Sequence, residues 1–214
     1  MRRLLAASLV IAALSCAYFF HLHNTRSSTV QLTRDGYSLT FKMRWGWGME
    51  ESFQFTANND GWLSSGSSSP WIEILAKPYR SGLAVYVSAD NRSYYVGTGY
   101  QLFIMETQSG DLQATCSASD VPPYTMLGKQ LSNSRTRGEA DGINPGGKDL
   151  FEYIEPEQLS GKTSTEPPAS KYYANIKYLG KFGLVRSGGR GNEIRFVSSD
   201  IIPEPRMALN PNCG

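Results

Sequence analysis

From Tyr37 to Ala57 the chain alternates between apolar and polar side chains with little interruption. Tyr37, Leu39, Phe41, Met43, Trp45, Trp47, Met49, Phe53, Phe55 and Ala57 take odd positions, and their even-numbered neighbours are small, polar or charged. A period of two is the signature of a half-buried β-strand. One unbroken strand across these 21 residues would extend roughly 70 Å, too far for a domain of this size, so the chain must reverse. The glycines of "RWGWGMEES" (44–52) place the reversal near 46 to 50. A turn centred on Gly48 keeps odd residues facing odd residues, with Met43 opposite Phe53 and Phe41 opposite Phe55, so that both arms bury one face.

The same pattern recurs in shorter runs at 71–76, 83–89, 93–97, 100–107 and 111–117, separated by turn residues such as Asp90, Asn91 and Gly110, which predicts antiparallel neighbours joined locally. Near the C-terminus the even positions Tyr172, Ala174, Ile176, Tyr178, Phe182 and Leu184 alternate with polar ones. A reversal through "SGGRG" (187–191) would set Leu184 opposite Ile194 and Phe182 opposite Phe196. Ser, Gly and Pro concentrate at 64–70, 132–148 and 160–170, as expected of surface loops. Helical periodicity is almost absent after residue 24. The expectation is an all-β fold: an antiparallel sandwich, a barrel or a small propeller-like domain built from hairpins and preceded by one N-terminal hydrophobic helix.

That helix changes the picture of where the protein acts. Arg2 and Arg3 precede an apolar run from Leu4 to Phe20, the layout of an export segment with its charged end held inside. Residues 1–24 read as a signal peptide, a signal anchor or, through Cys16 as a lipidation site, a lipoprotein signal, and residues 25–214 as a single β-rich exported domain. Export predicts a periplasmic or extracellular location, with membrane attachment through the N-terminal segment only. Taking Arg2 and Arg3 from the 21 basic residues leaves 19, against 19 acidic ones. A neutral domain without a basic block offers no electrostatic footprint for nucleic acid. Beyond the N-terminal segment only Cys116 and Cys213 remain, and an oxidising compartment predicts a disulfide between them.

Candidate chemistry is narrowed most by what the domain lacks. Both histidines, His21 and His23, lie in the N-terminal segment, which excludes histidine-dependent nucleophilic catalysis and the usual histidine-containing zinc sites from the domain. Neither a metal nor a cofactor is expected. Carboxylates cluster at Glu50 and Glu51 and at Glu152, Glu155 and Glu157, but consecutive strand residues point to opposite faces, and a structural role outweighs a catalytic one. "SGKTS" (160–164) lacks the earlier glycine of a phosphate-binding loop, since Pro156 stands there. Asn91, Arg92 and Ser93 form an N-glycosylation triplet, meaningful only where the host glycosylates secreted proteins.

These features point to a non-enzymatic binding protein of the cell envelope that acts through protein–protein contact, with an inhibitor or immunity-type protein against a toxic enzyme as a concrete form. Trp47 at the hairpin tip, Glu50 beside it, Trp62, Arg186 and Arg190 are the candidate partner-binding residues. Trp71, which opens a strand, reads as core. The competing expectation is a carbohydrate-binding module or a carboxylate-based glycan-active enzyme, motivated by the aromatic content of 45–71 and by Tyr94 and Tyr95.

Overall fold

The structure, a computed structural model, describes residues 2–32, 36–45, 49–57, 68–74, 83–97, 102–110, 112–114, 166–173, 175–185 and 193–205. Among these residues one helix, α1 (Arg2–Asn24), runs directly into β1 (Thr25–Gln31), followed by β2 (Tyr37–Trp45), β3 (Met49–Ala57), β4 (Ile72–Ile74) and β5 (Leu83–Ser88). Then come β6 (Ser93–Gly97), β7 (Leu102–Glu106), β8 (Leu112–Ala114), β9 (Ile176–Val185) and β10 (Glu193–Ser198). They form two antiparallel sheets, ordered β1-β2-β3-β4 and β10-β9-β5-β6-β7-β8. The edges β1 and β10 lie side by side without sharing a ladder, so the described strands close no barrel. On α1 the side chains of Leu9, Val10, Ile11, Leu14, Tyr18 and Phe19 are exposed. Among the described residues no helix is long and apolar enough to cross a membrane.

Alternation in both sheets builds one core. Val30, Leu39, Phe41, Phe53 and Phe55 of the first sheet share a buried cluster with Val85, Phe103, Phe182 and Phe196 of the second. Ring pairs span the gap: Phe41 and Phe182 have centroids 5.5 Å apart, and Phe53 meets Phe103 edge-on at 4.9 Å. Such tilted and edge-to-face contacts add to the area buried.

The first hairpin forms, but its register differs from the one centred on Gly48. Phe41 stands opposite Phe53, Leu39 opposite Phe55 and Met43 opposite Glu51, which centres the pairing on position 47. Both registers keep odd residues facing odd, so alternation alone cannot choose between them. The observed one brings Arg44 opposite Glu50, and their side chains form an ion pair. Opposite charges directly across an antiparallel pair favour the register that joins them. The second hairpin matches expectation, with Leu184 opposite Ile194 and Phe182 opposite Phe196.

In β9 the even residues do not share one face. The ladder with β5 skips a residue between Val85, opposite Gly180, and Tyr86, opposite Tyr178, and Gly180 adopts φ 149°. This bulge exchanges the faces. Before it, Ile176 and Tyr178 pack on the outer side of the sheet with Tyr86, whereas after it Phe182 enters the shared core. An extra residue in one strand has this effect by definition.

The outer side of the second sheet carries its own cluster of Ala84, Tyr86, Tyr95, Ile104, Ile176 and Tyr178, covered by Tyr173. Residues 168–170 pair with the start of β9, where Ser170 donates its N–H to Ile176 O and Tyr178 donates to Pro168 O, each at 2.9 Å. Glu204, which follows β10 and is 8% exposed, fastens this segment. Its carboxylate accepts hydrogen bonds from Ser170 Oγ at 2.5 Å and the Lys171 N–H at 2.6 Å.

Under this cover the hydroxyls of Tyr86 and Tyr178 are buried without a hydrogen bond of ordinary geometry, although the Glu204 charge lies within electrostatic reach of both. Burial, then Glu204, raises both phenols above the ordinary value. Below about pH 10 the tyrosines are neutral in both folded and unfolded chains, and their contribution to stability is complete. Above it the unfolded chain ionises first, so stability falls as pH rises. We expect phenolate absorbance from these residues to appear only together with alkaline unfolding seen by circular dichroism; ionisation of both near pH 10 in a folded chain would contradict their burial.

Candidate functional site

The outer face of the first sheet is polar, as the even residues of β2 and β3 require. Thr29 and Thr40 bond through their hydroxyls at 2.8 Å, and Gln54 donates to Ser69 O at 2.7 Å. At one end of this face two rows of side chains cross the strands. Lys42 stands opposite Ser52, which stands opposite Glu73, while Arg44 lies between Thr25 and Glu50. Neighbouring rows on one face bring unlike charges within a few ångströms. The Arg44–Glu50 ion pair leaves both side chains substantially exposed, so it is worth below about 1 kcal/mol and serves geometry more than stability.

Trp71 sits just ahead of β4 and flanks the row that ends at Glu73. Its residue is 37% exposed, and Lys42 Nζ lies 3.7 Å from its ring centroid, the geometry of a cation–π contact. Burial lowers the Lys42 pKa, and the Arg44 charge lowers it further, against Glu50 and Glu73, which raise it. These residues line a cavity of 210 Å³ together with Glu51, which is only 2% exposed. Glu51 pairs with Met43 and Ile74 on the apolar side of the sheet, opposite to the face that carries Glu50. The face at this cavity therefore carries two carboxylates, Glu50 and Glu73, two cations and one indole ring.

The sequence-predicted residues are distributed unevenly with respect to this site. Glu50 is part of it. Trp47, Trp62, Arg186, Arg190, Cys116 and Cys213 lie outside the described residues. Cys16 is a free thiol exposed on α1. Trp71, expected in the core, belongs to the surface site instead, because the core-facing residues of this segment are Ile72 and Ile74. Tyr94 and Tyr95 are fully buried and present no ring to a sugar. Asn91 occupies the β5–β6 turn with φ 58°, a left-handed conformation that asparagine tolerates.

Sequence reasoning missed Lys42, Arg44 and Glu73. The signal for Lys42 and Arg44 was present in the even positions of β2, where a charge-matched register joins Arg44 to Glu50, and that for Glu73 in its place between Ile72 and Ile74 of β4. Among the described residues no group of three His, Cys, Asp or Glu side chains is positioned to hold a metal ion. Chemically, the site can hold a small charged group by stacking and by charge. Comparison with protein-family models, with curated proteins and with solved structures finds no match to this chain.

Proposed function

We propose that the chain is an exported, non-enzymatic binding protein of the cell envelope, and that it engages another protein through the charged end of its first sheet. Its two sheets are read as the layers of a sandwich, a rigid support for such a surface. An inhibitor or immunity-type protein that occludes a toxic enzyme is the concrete form we favour. The arginine pair ahead of an apolar N-terminal segment supports export, by whichever processing route.

The observation that carries the contact reading is Trp71: a half-exposed indole bordered by Lys42, with Glu50 and Glu73 lining the same cavity. Tryptophan and arginine side chains at the centre of a polar patch are the residues that dominate protein interfaces. The charged side chains set around the ring, Lys42, Arg44, Glu50 and Glu73, favour a protein partner over a neutral glycan.

The test is capture of envelope proteins from the source organism by the full chain, beside a Trp71→Ala variant. A saturable protein partner whose affinity falls by about 30-fold in the variant is expected, matching the truncation of a central interface residue. Retention of soluble oligosaccharide, abolished by the same substitution and without any protein partner, would instead establish the glycan reading.

A further inference from the structure

The cavity beside Trp71 has a composition that selects the chemistry of its occupant. We propose that it takes one basic side chain, an arginine or a lysine presented by the partner protein, and that Lys42 holds that position on the indole ring until displaced. This deepens the protein-contact reading and rests on it.

Four observations converge on a cation. The indole ring already bears an ammonium 3.7 Å from its centroid, so the electrostatics of the ring face suit a positive charge. Two carboxylates, Glu50 and Glu73, stand among the cavity's lining residues with two cations, Lys42 and Arg44. Arg44 is engaged by Glu50, which leaves Glu73 to Lys42 or whatever replaces it. The volume of 210 Å³ falls below the several hundred typical of pockets for whole small-molecule ligands and suits a single side chain.

The resident lysine is itself poorly accommodated. Partial burial and the neighbouring Arg44 both disfavour its charged form. Lys42 stands on a flexible stem at the open face of the sheet, and rotating its ammonium into water relieves both effects. An incoming guanidinium is more weakly hydrated than an ammonium and stacks on aromatic faces, so arginine is the better occupant of the two. An acidic side chain would meet Glu50 and Glu73.

The proposal is tested by following the Trp71 indole N–H resonance of the full chain, assigned by its loss in Trp71→Phe. The probes are acetyl-Gly-Arg-Gly-amide and acetyl-Gly-Glu-Gly-amide. We expect a saturable shift with the arginine peptide and none with the glutamate peptide. Lys42→Gln, which frees the ring, should tighten arginine-peptide binding about three- to tenfold, and Glu73→Gln should weaken it about threefold. Binding of the glutamate peptide that is lost in Lys42→Gln would overturn the proposal, because Lys42 would then be the contact itself. Failure of both peptides to move the resonance would also overturn it. If either occurs while capture of a partner still depends on Trp71, only the assigned chemistry fails and the protein-contact reading stands.

Discussion

Gly180→Ala is expected to destabilise the fold by about 3–6 kcal/mol, the sum of backbone strain at an unfavourable φ and overpacking against rigid neighbours. At φ 149° an L-residue meets its own backbone, whereas glycine does not. A methyl group there would come within 2.2 Å of Val197 O, 2.6 Å of Phe196 Cζ and 2.9 Å of Ser198 Cα. Two of those atoms belong to the β10 backbone, which is held by the ladder to β9, so the clash cannot be relieved by turning a side chain. Single domains are stable by only about 5–15 kcal/mol, so the variant should populate unfolded chain in dilute urea. Equilibrium urea denaturation measures the loss. A change below about 1 kcal/mol would mean that the bulge is not built as described.

The second large effect is expected at Phe182. Its ring lies 5.5 Å from Phe41 and 5.1 Å from Phe196, and its backbone stands between Leu83 and Phe196 in the register. It is fully buried at the junction of the two sheets. Phe182→Ala should cost about 3–5 kcal/mol through lost transfer energy and the cavity left behind. The midpoint of urea unfolding should fall while its slope stays the same. Phe41→Ala and Phe182→Ala combined should cost less than the sum of the two alone, because the same ring contact is removed in each. Strict additivity would imply that the sheets do not meet at these rings.

The fold was legible wherever apolar residues alternate, and obscure wherever polar backbone pairing carries the structure. Strands β2, β3, β5, β6 and β10 fall where period-two runs predict them. The edge strand β1 escaped notice because "TRSSTVQ" buries only Val30; its partner β2 supplies the apolar side chains at this edge. Similarly, 168–170 pairs with β9 while burying little of itself. The β9 bulge was hidden because Tyr178 and Phe182 are both apolar, even-numbered and buried, although they face opposite sides of the sheet.

Of the site, Glu50 was recognisable as a charged residue beside a turn. Its partner depended on a register that hydrophobic patterning leaves ambiguous by two residues. Lys42 and Trp71 are 29 residues apart in the chain, and nothing local links them. They meet only because β3 carries the chain back to β4 beside β2's neighbour, a property of topology rather than of any motif.

The segment at 168–170 and the carboxylate that secures it bear on solubility as well as on packing. β10 pairs with β9 only from Gly180 onward, so residues 176–178 of β9 would otherwise present unpaired amides and carbonyls along a rim of the sheet. Such a rim is a template for another chain. Ser170 and Pro168 cap it from within the molecule, and Glu204 keeps them seated. A chain that lost this one carboxylate would keep its core and still be able to zip, strand against strand, onto a second copy of itself.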